Sequence, residues 1–229
     1  MYVFGKNVVE SLIQNGRKIN KALVYNEFRD KDILNRLNCP IKYYDLNYLD
    51  KIVDGNHQGI IVDIDDYEYY DIDDIIKENG FIVMLDHIED PHNFGAIIRT
   101  CEAAGVDGII IPKDRSVEVN GTVMKTSVGT LDNMKIVSVT NLTQTIKYLK
   151  GKGYWITATD MEGTDYTKID YKGSICIVIG SEGNGVSRLV LENSDFIASI
   201  KMCGKVNSLN ASVAAGIVVF EALKQRNEI

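Results

Sequence analysis

Five polar residues in three separate segments of the sequence could bind a phosphate or a hydroxyl group. They are Asn93, Arg99, Glu182, Ser208 and Asn210. If the segment around Arg99 is helical, the residues four and three positions before it are Gly95 and Ala96, which are too small to cover its guanidinium. An uncovered guanidinium suits a phosphate or hydroxyl ligand, and the alternative is a surface arginine paired with Glu102.

The other residues of this set also have structural interpretations. Asn93 follows the turn at Pro91 and can cap a helix, and Glu182 can cap the helix after its glycine-rich segment GSEGNGVS. Ser208 can cap the last helix, which we expect from about Ser208 to Arg226. Glycines in these segments allow main-chain groups to approach a ligand closely. Taken together, the segments predict a polar pocket.

The sequence predicts neither a metal site nor a nucleophilic catalytic group. The four cysteines are far apart, show no metal-ligand spacing and are predicted to be reduced, mostly buried thiols. His57 and His87 are predicted to be structural, whereas His92 could contact a phosphate. The glycine-rich segment matches neither the dinucleotide-binding fingerprint nor the P-loop, which excludes a nucleotide-dependent dehydrogenase.

The polar segments follow strands that a parallel sheet would bring together. From Phe81 onward, apolar strand patterns alternate with helical patterns, which indicates an α/β fold whose parallel sheet is covered on both faces. Ligands of such sheets bind beyond the carboxyl ends of the strands. The predicted strands before the three segments are FIVML (81–85), ICIVIG (175–180) and FIASI (196–200). We therefore expect the pocket at one edge of the sheet.

The last segment, residues 200–216, has the sequence IKMCGKVNSLNASVAAG. Its predicted helix begins with small residues, so that another part of the backbone can approach it closely. Those residues are Ala211, Ala214, Ala215 and Gly216. The alternative interpretation is an ordinary C-terminal core helix.

The N-terminal part of the chain is predicted to form a separate unit. Short helical and strand patterns over residues 1–66 indicate a small α/β domain, and residues 81–229 form the larger domain. Residues 67–80 are predicted to be an acidic linker, since like charges repel and favour a solvated chain. A folded acidic edge that mimics a phosphate backbone is the alternative.

Composition predicts a globular protein of the cytoplasm. Of the 229 residues, 45% are hydrophobic, yet no apolar run approaches the roughly 18 residues of a membrane span, and the N-terminus lacks a signal-peptide pattern. The formal charge of -7 comes from seven acidic residues between Asp63 and Asp74, outside which 25 acidic residues balance 25 basic ones. A local basic surface for nucleic acid is therefore compatible with the composition.

Three stretches resemble, in order and spacing, the sequence motifs of the SpoU/TrmH family of ribose 2'-O-methyltransferases. They are NFGAIIRT (93–100), IVIGSEGNGVS (177–187) and IKMCGKVNSLNASVAAG (200–216). The N-terminal unit, with the sequence HQGI at residues 57–60, resembles the substrate-binding domain of the subgroup that methylates a guanosine of large-subunit ribosomal RNA. The similarity covers nearly the whole chain.

The resemblance implies a homodimer that uses S-adenosylmethionine. It also implies a SPOUT-type catalytic domain with a C-terminal trefoil knot, formed by the segments from about Ile175 onward, and no metal. The active-site positions that it implies are Asn93 and Arg99 from the first motif, Glu182 from the second, and Ser208 and Asn210 from the third.

Cofactor contacts are implied for a second set of residues. Gly180, Ile200 and Leu209 match positions that contact the cofactor largely through the main chain, and Thr157 and Ala158, after another strand, are expected on the adenosine side. The family commonly has Ile-Pro-Met where this chain has Ile-Lys-Met at residues 200–202. We expect this difference to loosen the loop without abolishing cofactor binding.

The function implied is methylation of a ribose 2'-hydroxyl, and the expected substrate is RNA because DNA lacks this acceptor group. The resemblance of the N-terminal unit implies a guanosine of large-subunit ribosomal RNA. In this hypothesis Arg99 binds the neighbouring phosphate and stabilises the developing alkoxide, and the proton is lost to water or phosphate. Asn93 orients Arg99 or the ribose, and the remaining polar residues hold the pocket. The alternatives are ribose methylation of transfer RNA and a non-catalytic RNA-binding protein of ribosome assembly.

Overall fold

The computed structural model describes residues 1–127, 129–206 and 208–227. The chain forms two compact units. The first contains Met1–Glu68 and Val119–Asp132, and the second contains Tyr69–Glu118 and Asn133–Ile229. These boundaries differ from the predicted ones at residues 119–132, which pack with the N-terminal unit although they lie within the sequence of the predicted larger domain.

The first unit is built on a mixed four-stranded sheet. Its elements before residue 69 are β1 (Tyr2–Phe4), α1 (Lys6–Gln14), β2 (Ile19–Tyr25), α2 (Lys31–Arg36), β3 (Ile41–Tyr44), α3 (Leu46–Leu49) and β4 (Ile60–Ile64). The strand order is β1-β4-β2-β3; β4 pairs antiparallel with β1 and β2, and β3 pairs parallel with β2. The N-terminal residues therefore form a small α/β unit, as predicted.

A tight turn at residues 57–59 leads into β4. Gln58 and Gly59 both have positive φ angles, 54° and 82°, which Gly59 adopts without steric cost. The buried His57 accepts a hydrogen bond at Nδ1 from the N–H of Gly59 at 2.9 Å, so the ring proton is on Nε2 and is donated to Asp50, also at 2.9 Å. His57 therefore has the structural role that the sequence predicts.

The second unit is built on six parallel strands. They are β5 (Phe81–Asp86), β6 (Gly108–Pro112), β7 (Ile136–Val139), β8 (Trp155–Asp165), β9 (Ile175–Gly180) and β10 (Phe196–Ser199). The strand order is β10-β8-β9-β5-β6-β7, and every neighbouring pair is parallel. Every residue of β5 and β6 is buried, as expected for a sheet covered on both faces. The predicted α/β fold with a parallel sheet is confirmed.

The helices after residue 90 differ from the prediction in detail. They are α4 (Pro91–Ala103), α5 (Gly121–Thr126), α6 (Leu142–Gly151), α7 (Arg188–Asn193) and α8 (Ala211–Asn227). Helix α4 is capped by Asp90, whose side chain accepts the N–H of His92 at 2.9 Å, so Asn93 lies inside the helix and is not its cap. Helix α7 follows the glycine-rich segment as expected, but the residue at its N-cap position is Ser187 and not Glu182. None of the described helices is long and apolar enough to cross a membrane.

Strand β8 extends from Trp155 to Asp165. Its pairing with β10 changes register abruptly, since Ile197 pairs with Ala158 and the next residue of β10 pairs with Thr164. Residues 159–163 are therefore an insertion on the β8 side of this ladder.

Helix α5 belongs to the first unit and packs against β1. A Cβ atom on Gly121 would lie 2.2 Å from the carbonyl oxygen of Tyr2, so only glycine permits this approach. Lys125 donates a hydrogen bond to the carbonyl of Asn56 at 2.6 Å and lies over the ring of Phe4, and burial lowers the pKa of its ammonium. These contacts explain why this segment groups with the N-terminal residues.

Most of the predicted acidic linker packs on the second unit. Tyr70 forms a bridge with Val137, and Ile75 is only 2% exposed within the core beside the sheet. The hydroxyl of Tyr148 donates a hydrogen bond to Asp73 at 2.5 Å. From Tyr69 onward, the segment is therefore part of the folded second unit.

Candidate active site

The second unit brings the glycine-rich segment of the second motif next to the first motif. Strands β5 and β9 are neighbours, and Asp86 at the end of β5 is in register with Gly180 at the end of β9. The chain after β5 enters α4, and the chain after β9 forms the loop that carries Glu182. Helix α8 packs against α4 and β9, which places the start of the third motif's helix at the same edge. The three motif segments therefore meet at the carboxyl edge of the sheet, where the sequence predicts the polar pocket.

Three of the five polar residues form one hydrogen-bonded network. The side-chain nitrogen of Asn93 donates to Oε1 of Glu182 at 2.5 Å. The side-chain nitrogen of Asn210 donates to the same oxygen at 2.7 Å and to Oδ1 of Asn93 at 2.9 Å. Asn93 is only 6% exposed, so its amide is held in one orientation by two charged or polar partners. The network joins residues from all three motifs.

Asn210 also begins the last helix. Its Oδ1 accepts the N–H groups of Ser212 at 2.9 Å and of Val213 at 3.3 Å, which is the pattern of a helix cap. The prediction that Ser208 caps this helix is therefore wrong, because the helix begins at Ala211. Ser208 is exposed and, within the described residues, has no hydrogen-bonding partner.

Arg99 lies on α4, less than two turns after Asn93, and has no hydrogen bond to the network. It is exposed, and among the described residues its guanidinium has neither a hydrogen bond nor an ion pair. The alternative pairing with Glu102 does not occur, since Oε1 of Glu102 accepts a hydrogen bond from Asn133 at 3.3 Å. Because both polar ends of the Asn93 amide contact Glu182 or Asn210, Asn93 does not orient Arg99. The guanidinium is available to a ligand.

The close approach of the chain at Gly180 leaves no room for a side chain at this position. A Cβ atom at this position would lie 2.1 Å from the carbonyl carbon of Gly185 and 2.3 Å from the nitrogen of Val186. Ser181 and Gly185 exchange two main-chain hydrogen bonds, at 3.1 and 2.9 Å, so the loop that carries Glu182 is a closed hairpin. Glu182 is exposed at its tip.

The structure adds a buried carboxylate that the sequence interpretation missed. Asp86 is 1% exposed; one of its oxygens contacts Nδ1 of His87, and the other accepts the N–H of Ser187 at 2.7 Å. His87 has a φ of 60°, which is uncommon outside glycine. An acidic residue at the end of an otherwise apolar strand was the available signal. Asp86 fastens the end of the Glu182 loop to the sheet.

Thr157 and Ala158 do not follow a strand, which corrects the prediction for them. Both lie inside β8, where they pair with Ile177 and Val178 of β9, and they are 1% and 0% exposed. The first residues of β8 beyond them with partly exposed side chains are Thr159 and Asp160.

The loop between β10 and α8 offers main-chain groups to a ligand. Ile200 and Leu209 at its two ends are half-buried, as is Met202. Within the described part of this loop, residues 201–206 and 208–209 have no main-chain hydrogen bonds. Polar main-chain groups of this kind require water or a ligand as partner. Lys201, at the position where the family commonly has proline, is exposed.

The cysteines and acidic residues of the described chain do not suggest metal chemistry. No group of three His, Cys, Asp or Glu side chains among the described residues could hold a metal ion. All four cysteines are free; Cys101 and Cys176 are buried, and burial raises the pKa of both thiols strongly. Cys203, in contrast, is exposed on the loop between β10 and α8.

Comparison with known proteins identifies the family. The model of the SpoU rRNA Methylase family matches residues 80–220, and the model for RNA 2'-O ribose methyltransferase substrate binding matches residues 2–70. The chain belongs to the SpoU family of RNA methyltransferases, with a small substrate-binding domain before the catalytic domain.

Two relatives are similar over their whole lengths. The Bacillus subtilis protein YacO, assigned to the TrmH family of tRNA/rRNA methyltransferases, is 39% identical over 241 residues, which cover 100% of this chain and 97% of YacO. A Staphylococcus saprophyticus protein with the same assignment is 42% identical over 240 residues, which cover 99% of this chain and 96% of the relative.

Solved structures support the same fold. The SpoU methyltransferase AviRb from Streptomyces viridochromogenes, in complex with the cofactor AdoMet, superposes with a TM-score of 0.84 at 22% identity, over 98% of this chain and 89% of AviRb. An AdoMet-bound rRNA methyltransferase from Sinorhizobium meliloti superposes with a TM-score of 0.78 at 25% identity, over 96% of this chain and 85% of that protein.

Proposed function

We propose that this protein transfers a methyl group from S-adenosylmethionine to the 2'-oxygen of a ribose, and that the target is a guanosine of large-subunit ribosomal RNA. The observation that carries the proposal is the network of Asn93, Glu182 and Asn210, which joins one residue from each of the three motifs. Arg99, on the same helix as Asn93, has an exposed guanidinium. The match of residues 2–70 to a substrate-binding model for RNA 2'-O ribose methyltransferases supports the choice of a ribose acceptor.

The loop between β10 and α8 fits the proposed cofactor. The main-chain groups of residues 201–206 and 208–209, which have no hydrogen bond within the described part of the chain, can bind the polar edge of an adenine, and the half-buried Ile200 and Leu209 can contact its faces. Gly180 lies at the neighbouring strand end. S-adenosylmethionine, when bound, supplies an electrophilic methyl group on a sulfonium. The chain's own task is to align the ribose and to make its hydroxyl more nucleophilic.

Arg99 is proposed to bind the phosphate next to the target ribose and to stabilise the alkoxide that develops on its 2'-oxygen. Its guanidinium has no protein partner among the described residues, so no internal ion pair has to break when the RNA binds. Because a guanidinium keeps its proton in proteins, Arg99 is not the base, and the proton goes to water or to a phosphate oxygen.

Asn93, Glu182 and Asn210 are proposed to hold the pocket. Glu182 uses Oε1 for both amides, which leaves its second carboxylate oxygen without a partner among the described residues. This oxygen can accept a hydrogen bond from a hydroxyl of the ribose. Ser208, exposed at the end of the β10–α8 loop, is proposed to contact the substrate or the cofactor.

We further propose a cytoplasmic homodimer whose C-terminal segments, from about Ile175 onward, form a trefoil knot. The strand order supports the knot, since the chain passes from β9 to β10 at the sheet edge and returns as α8 against α4 and β9. Helix α8 supports the dimer. Val213 and Phe220, seven residues apart on one side of this helix, are 49% and 47% exposed, and nothing lies within 4 Å of a Cβ built on Gly216.

The test is incubation of the protein with unmodified ribosomal RNA and S-adenosylmethionine labelled in its methyl group, followed by mapping of the modified nucleotide. Label on a guanosine ribose of the large-subunit RNA is the expected result. Label on a base, or no transfer to any RNA, would refute the proposal. Arg99→Ala serves as the inactive control.

Ribose methylation of transfer RNA is the second candidate, because the relatives from Bacillus and Staphylococcus are assigned to tRNA/rRNA methyltransferases. The same assay with unmodified transfer RNA separates the two. Transfer to tRNA alone would replace the ribosomal target. A non-catalytic role in ribosome assembly is disfavoured, since the proposed active-site residues are all present and three of them form one network.

A further inference from the structure

We propose that an unpaired base of the RNA substrate stacks on the exposed ring face of Tyr48 in the first unit, and that Lys42 and Lys51 contact the phosphates beside it. This inference deepens the proposed function and rests on it, because it names a substrate contact. The family match covers residues 2–70 as a whole and assigns no residue to RNA binding.

A pair of stacked tyrosines forms the proposed surface. The rings of Tyr44 and Tyr48 lie with centroids 4.2 Å apart and planes inclined by 12°. Tyr44 is half-buried and packs against the small core of the first unit, which fixes the inner ring. Tyr48 is 45% exposed although Tyr44 covers one of its faces, so its other face is open to solvent. A base placed there would continue the stack as a third layer.

The position of Tyr48 is fixed before any ligand binds. Its main-chain N–H donates a hydrogen bond at 2.8 Å to Asp45, which caps the short helix α3. Leu49, the next residue, is fully buried in the core. The aromatic surface is therefore rigid, and the protein loses little conformational entropy when a base stacks on it.

Two lysines flank the stack. Lys42 is two residues before Tyr44 on β3, so both side chains leave the same face of the sheet. Lys51 follows Tyr48 by one turn, and its N–H donates to the carbonyl of Tyr48 at 3.3 Å. Both lysines are exposed, and neither ammonium has an ion pair among the described residues. They are free to contact phosphate oxygens.

Two carboxylates close to Tyr48 in sequence each have one oxygen in a hydrogen bond. Asp45 accepts the N–H of Tyr48, and Asp50 accepts the hydrogen bond of His57. An open aromatic face near two lysines that have no ion pair among the described residues suits single-stranded RNA, whose bases stack and whose phosphates are anionic. An apolar protein partner would cover the ring but leave both ammonium groups unpaired, which makes it the less favoured occupant.

The first test measures binding of a fluorescently labelled, single-stranded oligoadenylate to the full-length protein by anisotropy. Tyr48→Ala should weaken binding about tenfold, as expected for the loss of one base stack, whereas Tyr48→Phe should stay within about twofold. Tyr43→Ala is the matched control, because Tyr43 is 54% exposed on the same strand but faces the opposite side of the sheet. Its affinity should stay within about twofold of wild type.

The lysines are tested through the salt dependence. Lys42→Gln and Lys51→Gln should each lower the slope of log affinity against log salt by about 0.7, the value for one phosphate contact on a single strand. Equal binding by Tyr48→Ala and wild type, equal losses in Tyr43→Ala and Tyr48→Ala, or no binding by wild type would each refute the inference.

Photo-crosslinking covers the case in which Tyr48→Ala does not fold. Wild-type protein is irradiated with a single-stranded RNA that contains 4-thiouridine, and a crosslink to Tyr48 is expected, whereas crosslinks in the first unit that all lie elsewhere would contradict the proposal. None of these assays requires methyl transfer. Binding through Tyr48 without methylation of any RNA would support the stacking site and refute the proposed function. Unchanged binding and methylation of ribosomal RNA by Tyr48→Ala would refute only the stacking site.

Discussion

The side-chain nitrogen of Asn210 lies 2.7 Å from Oε1 of Glu182, although the two residues are 28 positions apart. The same oxygen accepts a hydrogen bond from Asn93 at 2.5 Å. One carboxylate oxygen therefore connects α4, the loop after β9 and the start of α8. We infer that this contact holds the three motifs together at the edge of the sheet.

Replacing Glu182 by Gln removes the negative charge of this side chain but keeps an acceptor oxygen, so the variant tests the contribution of the charge. A glutamine oxygen can accept both amides but lacks the negative charge that strengthens these bonds, so we expect a loss of about 1 kcal/mol in the free energy of unfolding. Methyl transfer should fall at least about tenfold, because the loops shift relative to α4. Urea unfolding and a radiolabelled transfer assay measure the two effects.

The matched control is Glu192→Gln. Glu192 is also an exposed glutamate, and it forms only an ion pair with Arg188 one turn away on α7. Its replacement should change the free energy of unfolding by less than about 0.5 kcal/mol and leave transfer unchanged. If both variants behave alike, Glu182 does not hold the site together.

Replacing Asn93 by Asp should make stability depend on pH. The new carboxylate would lie beside Oε1 of Glu182, and two like charges at this distance raise the pKa of the pair, so one proton is retained in the folded state. The unfolded chain releases that proton at a lower pH, so stability is highest in acid and is lost as the pH rises through the folded pKa.

Thermal unfolding of this variant between about pH 5 and pH 8 measures the effect. The melting temperature of Asn93→Asp should fall relative to wild type as the pH rises. Asn93→Ala is the control, since it removes the hydrogen bonds without adding a charge, and its loss of stability should be the same across this range. A parallel pH profile for both variants would rule out the close contact.

Much of this site follows from sequence. The apolar runs predict β5 and β9 as buried parallel strands, and the carboxyl ends of parallel strands share an edge, so Asn93 and Glu182 could be expected to meet. Serine and asparagine both cap helices well, so the sequence does not distinguish Ser208 from Asn210 as the cap of the last helix. The observed start of this helix at Ala211 does.

What the sequence could not predict depends on contacts between distant residues. Residues 119–132 join the first unit because Gly121 allows contact with Tyr2, which no local pattern reveals. Thr157 and Ala158 lie inside β8, whose pairing with β10 continues to Asp165. Tertiary pairing overrides local propensity in such places.

Replacing Arg99 by Ala should affect catalysis without affecting folding. Since the exposed guanidinium has no partner among the described residues, we expect a change of less than about 0.5 kcal/mol in the free energy of unfolding. The methyl-transfer rate should fall about a hundredfold, as for other groups that stabilise a developing oxyanion. Single-turnover kinetics with saturating RNA measure the chemical step.

Arg99→Lys separates the two proposed tasks of this residue. A lysine keeps the charge but cannot form the bidentate contact, so both RNA affinity and the chemical step should decline. If the Lys variant loses RNA affinity but keeps the rate of the chemical step, stabilisation of the alkoxide is not a task of Arg99. Arg188→Ala, at another exposed arginine, is the control and should leave both quantities unchanged.

Replacing Gly180 by Ala should disrupt the loop that carries Glu182. The added Cβ would lie 2.1 Å from the carbonyl carbon of Gly185, and main-chain atoms must move to relieve this clash. We expect a loss of about 1–3 kcal/mol in the free energy of unfolding and a clear loss of methyl transfer. Gly183→Ala, in the same loop, meets nothing within 4 Å and should change stability by less than about 0.5 kcal/mol.

Alkylation of the cysteines should report on the loop between β10 and α8. Cys203 is exposed on this loop, whereas Cys101 and Cys176 are buried with pKa values that burial raises, so iodoacetamide should modify Cys203 first in the folded protein. If the loop binds S-adenosylmethionine as proposed, saturating cofactor should slow this modification several-fold, as mass spectrometry of the intact protein would reveal.

A Cys203→Ser variant that resists modification under native conditions identifies the reacting thiol, and the same reaction in urea should modify all the remaining cysteines. Modification of Cys203 at the same rate with and without cofactor would show that this loop does not bind the cofactor. A ligand bound to the main-chain groups of the loop would restrict its motion and slow the reaction. Rapid labelling of Cys101 or Cys176 in the folded protein would contradict their complete burial in α4 and β9.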